Sequence, residues 1–298
     1  MIMNSLQDFV GRYKEQVDRG IAEELERRLK EVKDISPHLV PILEAMKELS
    51  VGGKRLRAML VILGWQIARA DDNPPLRDQN EIIKATVVME IFHLGLLIQD
   101  DFMDRDMTRR GVKTMIARYE NEHVGNFISM LAGDYTFGWG IEILSGIDVA
   151  HERRNAAMKI WGKYFTRVGY GQTLDGLDIA DDETILKILA IKSGEYSCVL
   201  PLLLGATLGG ADQGLLDKLE KYGMEFGWVF QLRDDYLGYD KDMAKKGKKT
   251  FATMYGRDKT EEAIKEHMVI GKDVLRGRTS KYGELLNELV EWLGTRDN

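Results

Sequence analysis

No proline interrupts the chain between Pro75 and Pro201, and only Pro37, Pro41 and Pro74 join them in the whole sequence of 298 residues. Proline breaks helices because it lacks the backbone N–H and its ring clashes with the preceding turn. A proline-free stretch of this length can hold several long helices. The apolar spacing agrees: between residues 5 and 33, Leu6, Phe9, Val10, Tyr13, Val17, Ile21, Leu25 and Leu29 recur at three- and four-residue steps and form one stripe on a helix. Strand-type alternation is scarce throughout. The expected fold is all-α.

Three segments, 82–104, 199–208 and 222–237, are apolar on nearly every side, which suits helices buried inside a bundle. Breaks fall at 70–76, 145–151, 180–183, 209–214 and 244–249, and none is long or simple enough to serve as a domain linker. We therefore expect one domain spanning 1–298, with ten or more helices. A hydrophobic content of 44% supports a substantial core.

The formal charge of −6 argues against nucleic acid as the main partner, since phosphate-backbone binding leaves a basic signature. Cys198 is the single cysteine, so no intrachain disulfide forms, and its apolar neighbours Val199 and Leu200 mark it as a buried small side chain. Residues 1–12 carry no charged-then-apolar signal pattern, and no run of ~18 apolar residues offers a membrane span. The expectation is a soluble cytoplasmic protein.

Two acidic clusters end apolar segments. Asp100, Asp101 and Asp104 close the first, with Asp100 and Asp104 one helical turn apart and Asp101 alongside, so that three carboxylates converge. Their mutual repulsion is relieved by a bound cation, and hard oxygen donors suit Mg²⁺, which keeps several waters and is shared with substrate phosphates. An isolated cluster of this kind reads as readily as a solvated helix end. Asp234 and Asp235 close the apolar segment 222–237, and the two pairs together favour the metal reading, with a cavity between them if their helices pack suitably. Gly238 stands where a third carboxylate would be expected, leaving Asp240 or Asp242 to replace it.

Basic residues flank the acidic ones. Gly52 and Gly53 precede a helix start carrying Lys54 and Arg57, three apart on one face, an arrangement matched to phosphate. Arg109 and Arg110 follow the first acidic cluster and add guanidiniums suited to phosphate oxygens. His93 lies two turns before Asp100, Lys192 interrupts an apolar segment and needs an anion, and Gln231 shares a face with Asp234 and Asp235. Lys248 and Lys249 end a basic run that otherwise reads as a surface loop.

Taken in order, GGKRLR at Gly52, a histidine seven residues before DDFMD, RRG at Arg109, LAGD at Leu131, GQTLD at Gly171, KSG at Lys192, FQLRDD at Phe230 and GKKT at Gly247 resemble the trans-isoprenyl diphosphate synthases. Several separated motifs in the right order are far more specific than any one alone. The resemblance implies a single bundle of long helices around a central cavity, a homodimer, and about three Mg²⁺ ions bound through diphosphate and carboxylates. It implies metal ligation by Asp100, Asp101, Asp104, Asp234 and Asp235, with Asp101 acting directly or indirectly. Gly53, Lys54, Arg57, His93 and Arg110 would hold isopentenyl diphosphate, while Arg109, Lys192, Ser193, Gln231 and Lys248 would serve the allylic diphosphate, whether dimethylallyl, geranyl or farnesyl. Of these, Arg109, Lys192 and Gln231 stand nearest the chemistry.

The sequence departs from the family pattern at several points. Ser193 replaces a common threonine, Ala58 a common proline, and Gly238 the third aspartate of the second motif. The loop after Asp235 looks short, so the lysine expected there is Lys241 or Lys245. The implied reaction joins isopentenyl diphosphate to an allylic carbocation to give a linear diphosphate. Tail length would be set below Asp100 by Leu96, Gly95, Phe92 and Met89, with help from Trp139. Gly95 has no side chain to stop the tail and Phe92 forms the floor, so geranylgeranyl diphosphate is the expected product, a farnesyl or longer product being the alternative. A class I terpene cyclase or a non-catalytic regulatory subunit is the competing reading.

Overall fold

In the computed structural model of the chain, residues 6–69, 76–177, 181–244, 249–276 and 281–296 are described, and nearly all of them are helical. They form α1 (Leu6–Ile35), α2 (Val40–Ser50), α3 (Leu56–Arg69), α4 (Leu76–Met103), α5 (Glu122–Ser145), α6 (His151–Gly176), α7 (Asp182–Leu189), α8 (Leu200–Gly209), α9 (Gln213–Ala244), α10 (Phe251–Tyr255), α11 (Arg257–Val274) and α12 (Lys281–Thr295). A π-helical segment, Ala190–Val199, joins α7 to α8. The predicted breaks at 145–151, 209–214 and 244–249 fall at helix ends. The chain divides into two compact units, and the division runs through α3.

One unit holds residues 9–59 and 75–149. Its α1 buries the predicted stripe: Phe9, Val17 and Leu25 are fully enclosed, and Tyr13, Ile21 and Leu29 nearly so. Each such side chain contributes about 1.5–3 kcal/mol of burial. α4 packs against α5 through small residues. A Cβ on Gly133 would lie 2.3 Å from the Gln99 side chain, and one on Gly95 would lie 2.0 Å from Thr136 Oγ1, so both glycines allow an approach no larger residue permits. The unit also contains a two-stranded antiparallel hairpin, Thr108–Arg109 with Val112–Lys113. Arg110 and Gly111 have φ of 51° and 83° at its tip, the left-handed pair that a tight two-residue hairpin turn requires.

The other unit holds residues 1–8, 60–74 and 150–298. Its centre is α8, buried along its entire length. Cβ atoms on Gly64 and Gly205 would come within 2.2 and 1.9 Å of carbonyl oxygens of Leu202 and Val61, so α3 and α8 cross with their backbones nearly touching. A Cβ on Gly227 of α9 would likewise fall 2.2 Å from Gly194 Cα of the π-helical segment. The tyrosine hydroxyl of Tyr222 donates to the Leu286 carbonyl at 2.6 Å and ties α9 to α12. The continuous helix Asp182–Gly209 is apolar enough to cross a membrane by composition, but 72% of its apolar window is buried inside the protein, as expected of a core helix.

Candidate active site

The anion-binding motif sits at a turn held in an uncommon backbone conformation. Gly52, Gly53 and Arg55 have φ of 85°, 93° and 53° just before α3 begins at Leu56. The Arg55 side chain points inward, donating to Asp18 at 2.7 Å, Glu90 at 3.1 Å and the Ser50 carbonyl at 2.7 Å. Lys54 is exposed. Arg57 Nη1 lies 3.2 Å from His93 Nε2, and the Arg110 guanidinium packs over Gly53, where a Cβ would meet Nη1 at 3.3 Å. The structure thus brings Gly53, Arg57, His93 and Arg110 together from three separate elements.

Part of the His93 surface is accessible, yet burial is the largest cause holding its pKa well below 6.5, followed by the charges of Arg57, Arg110, Arg109 and Arg55. Its ring is neutral at physiological pH, and its Nε2 accepts from Arg57 in the tautomer that contact requires. A neutral acceptor among four guanidiniums leaves the positive field available to an anion.

At the end of α4 the three aspartates separate. Asp100 and Asp104 lie toward solvent, whereas Asp101 is 1% exposed and accepts Arg109 Nε and Nη2 on Oδ1 at 2.7 and 2.6 Å. Its Oδ2 is buried without a hydrogen-bond partner, and burial raises its pKa against the opposing pull of Arg109. Among the described residues, no three His, Cys, Asp or Glu side chains gather closely enough to hold a metal ion on their own. The expected convergence of all three carboxylates is corrected accordingly, because Asp101 turns to Arg109. The donors still fit Mg²⁺, which takes one or two carboxylates and completes its shell with water and substrate phosphate, and the unpartnered Asp101 oxygen is a hard donor of the required kind.

On α9, Asp235 is 3% exposed, accepting Gln231 Nε2 on Oδ1 at 2.6 Å and the Phe251 backbone N–H on Oδ2 at 2.8 Å. Burial pushes its pKa up to about 6, with these hydrogen bonds opposing. Asp234 is more exposed and pairs with Arg296. Gln231 in turn accepts from the Ser193 hydroxyl, and Lys192 donates to Asp175 at 2.6 Å. Lys192, predicted to need an anion, finds it in the GQTLD motif, and Ser193 and Gln231 join through the close approach at Gly194 and Gly227.

The buried side chain of Asp242 lies beside Gly238: a Cβ on Gly238 would lie 3.2 Å from its Oδ2. Asp240 is 82% exposed at its side chain and pairs with Arg257 at 2.9 Å. Lys241 is exposed, and Lys245 and Lys248 lie outside the described residues.

The tail-length positions need a correction. Gly95 does not leave an open level, because Thr136 occupies the space a side chain there would take. Phe92 and Met89 are fully buried, and Leu96 is half-buried. The ring of Phe92 packs edge-on against Phe137 at 5.5 Å, whereas Trp139 is covered by Arg28 at 5.1 Å from its centroid. Phe137 and Thr136 are the residues sequence reasoning missed. Both lie on α5, whose buried side is marked by small residues, Gly125, Ser129, Ala132, Gly133, Thr136 and Gly140, and not by a stripe of large apolar ones.

Comparison with known proteins decides the family. Residues 40–264 match the family model of the polyprenyl synthetases. The chain belongs to the polyprenyl synthetase family. Among its curated relatives, a geranylgeranyl diphosphate synthase of Methanosarcina mazei is 31% identical over 80% of this chain and 68% of its own length. A geranylgeranyl diphosphate synthase of Saccharolobus solfataricus is 29% identical over 72% of this chain, and the match spans 63% of that relative's length. The crystal structure of the geranylgeranyl pyrophosphate synthase of Corynebacterium glutamicum, complexed with isoprenyl diphosphate and magnesium, superposes with a TM-score of 0.83 at 22% identity, covering 96% of this polyprenyl synthetase and 99% of that chain. Its likeness establishes the all-α isoprenoid synthase fold. The anion turn, both aspartate pairs and Lys192 all lie within the matched residues of this polyprenyl synthetase.

Proposed function

We propose that this polyprenyl synthetase condenses isopentenyl diphosphate with allylic diphosphates to a linear trans product, chiefly geranylgeranyl diphosphate, with 1–298 acting as one catalytic domain. The observation that carries the reading is the meeting of Arg57, neutral His93 and Arg110 over the Gly52–Gly53 turn. It is a cationic site able to take a diphosphate without a metal, in a protein that also carries two aspartate pairs suited to a metal-bound one. A class I terpene cyclase has one diphosphate to bind and no use for the first site.

Isopentenyl diphosphate is held by Gly53, Lys54, Arg57, His93 and Arg110. The allylic diphosphate is met by Arg109, Lys192, Ser193, Gln231 and Lys248. Asp100, Asp101, Asp104, Asp234 and Asp235 would hold about three Mg²⁺, with Asp242 the candidate to stand in for the carboxylate absent at 238. When bound, the metal supplies electrostatic stabilisation of the departing diphosphate. The chain's own cations add to it. Arg109 and Lys192 exchange their partners Asp101 and Asp175 for diphosphate oxygens, which transfers two fixed positive charges to the leaving group. Gln231 holds Asp235 in place, and Ser193 holds Gln231. The allylic carbocation left behind is attacked by the isopentenyl double bond, the proton lost passes to the released diphosphate, and apolar helix faces exclude water.

A second copy of the chain covers α5, whose Val124, Phe127, Met130 and Ile141 are 38–51% exposed and recur along one side of the helix. The protein works as a cytoplasmic homodimer, and the buried Cys198 suits that reducing compartment. Incubation with Mg²⁺, labelled isopentenyl diphosphate and each allylic starter tests the reaction. A linear geranylgeranyl product is expected, and a cyclised hydrocarbon or no elongation would refute it.

A further inference from the structure

The anion turn is an improbable piece of backbone. Arg55 sits at a φ of 53°, a conformation unfavourable for a side chain as large as arginine, and it follows two glycines with φ of 85° and 93°. Non-glycine residues persist in this region only when their surroundings over-determine them, and such places cluster at ligand sites. One side chain accounts for much of that constraint.

Glu90 on α4 is 6% exposed. Its Oε2 accepts Arg55 Nη1 at 3.1 Å, and its Oε1 accepts the backbone N–H of Ala58 at 3.2 Å. The first contact holds the strained residue, and the second caps the opening turn of α3, where backbone donors have no partner within the helix. Arg57 lies between the two fixed points. Three residues further along α4, on the same face as Glu90, His93 meets the Arg57 guanidinium at 3.2 Å. A single turn of α4 therefore grips positions 55, 57 and 58 in succession. Ala58 is essential to the arrangement, because a proline there has no N–H to donate. Asp18 and the Ser50 carbonyl fix the rest of Arg55, so its charge is spent internally, while Lys54 is exposed and Arg57 is half-buried against His93.

We propose that Glu90 is the positioning residue of the isopentenyl diphosphate site: by clamping Arg55 and the Ala58 amide from α4, it pre-organises the Gly52–Arg57 turn for the diphosphate. The proposal rests on the reaction assigned above and deepens it. Glu90 does not touch the substrate. Beside the stability lost with a buried partner of Arg55, its effect should appear in affinity for isopentenyl diphosphate and not in allylic binding.

The test compares Glu90→Ala, Glu90→Gln and wild type by steady-state kinetics and by calorimetric titration of the protein with isopentenyl diphosphate in metal-free buffer. Glu90→Ala is expected to weaken isopentenyl diphosphate about tenfold in both measurements, with the allylic KM within about twofold of wild type. Glu90→Gln keeps an acceptor and the side-chain volume, and should recover part of the loss. Should Glu90→Ala not fold, Glu90→Gln carries the same comparison, with Asp18→Asn as a control that loosens Arg55 without uncapping Ala58 and should shift affinity less. Unchanged isopentenyl diphosphate affinity, or an equal rise in both KM values, would overturn the clamp even if wild type catalyses the condensation. Wild type that binds the diphosphate in a Glu90-dependent way but does not condense it would instead refute the reaction and keep the clamp. Wild type that binds no diphosphate without metal would overturn the clamp.

Discussion

Arg109 places two donors on a single oxygen of Asp101, leaving the other carboxylate oxygen of that buried aspartate without a partner. The pair separates the roles of the first aspartate cluster. Asp100 and Asp104 reach solvent, while Asp101 holds an arginine assigned to the allylic diphosphate. Asp104→Ala is expected to lower turnover by orders of magnitude with thermal stability near wild type, because a group exposed at a helix end contributes little to folding. Asp101→Asn should lower both, since it weakens a buried charge-assisted pair. Circular dichroism melts beside initial rates check the contrast. A near-normal rate for Asp104→Ala would remove that residue from the metal set.

Product length should depend on α5 as much as on α4. A Cβ at position 95 would fall 2.0 Å from Thr136 Oγ1, so Gly95→Phe alone overpacks the helix contact and costs about 1–3 kcal/mol. The double variant Gly95→Ala with Thr136→Ala should relieve the closest contact and be more stable than Gly95→Ala alone, with the product distribution read for both. Phe92 is fully buried against Phe137. Phe92→Leu, gentler than truncation to alanine, should shift the distribution toward longer chains. Chromatography of the dephosphorylated products measures both, and unchanged distributions would place the length-setting wall elsewhere.

Acid should weaken the protein through His93. Its pKa in the folded state lies below the ordinary 6.5, so the fold favours the neutral ring. As pH falls below about 6.5 the unfolded chain takes up the proton first, so the contribution is fully present above that value and is lost on acidification toward the folded pKa. His93→Gln removes the titration. The melting temperature of wild type should therefore fall more steeply than that of His93→Gln between about pH 7 and 5.5. Parallel curves would contradict the buried, arginine-flanked placement of the ring.

Much of this was legible in the residues. The stripe from Phe9 to Leu29 is buried as its spacing requires, and the breaks at Ser145 and Gly209 end helices. Lys192 meets Asp175 although its side chain is part-exposed and not buried, and Gln231 meets Asp235 as a shared helix face demands. Other features depend on contacts distant in sequence and left no periodic trace. The π-helical segment Ala190–Val199 goes with the approach of Gly194 to Gly227, the hairpin at Arg109 is too short for alternation to show, and the filling of Gly95 by Thr136 needs the α4–α5 register. Glu90 is a lone carboxylate in an apolar stretch, and no spacing in the sequence pairs its two oxygens with Arg55 and Ala58.

The most direct measurement is the separate determination of KM for each substrate in Arg57→Ala and Arg109→Ala. Arg57 meets His93 at the anion turn and Arg109 is held by Asp101, so the two guanidiniums serve different diphosphates in this account. Arg57→Ala should raise the isopentenyl diphosphate KM at least about tenfold and leave the allylic KM within about twofold, and Arg109→Ala should do the reverse. Equal shifts of both constants in both variants would contradict a protein with two distinct diphosphate sites.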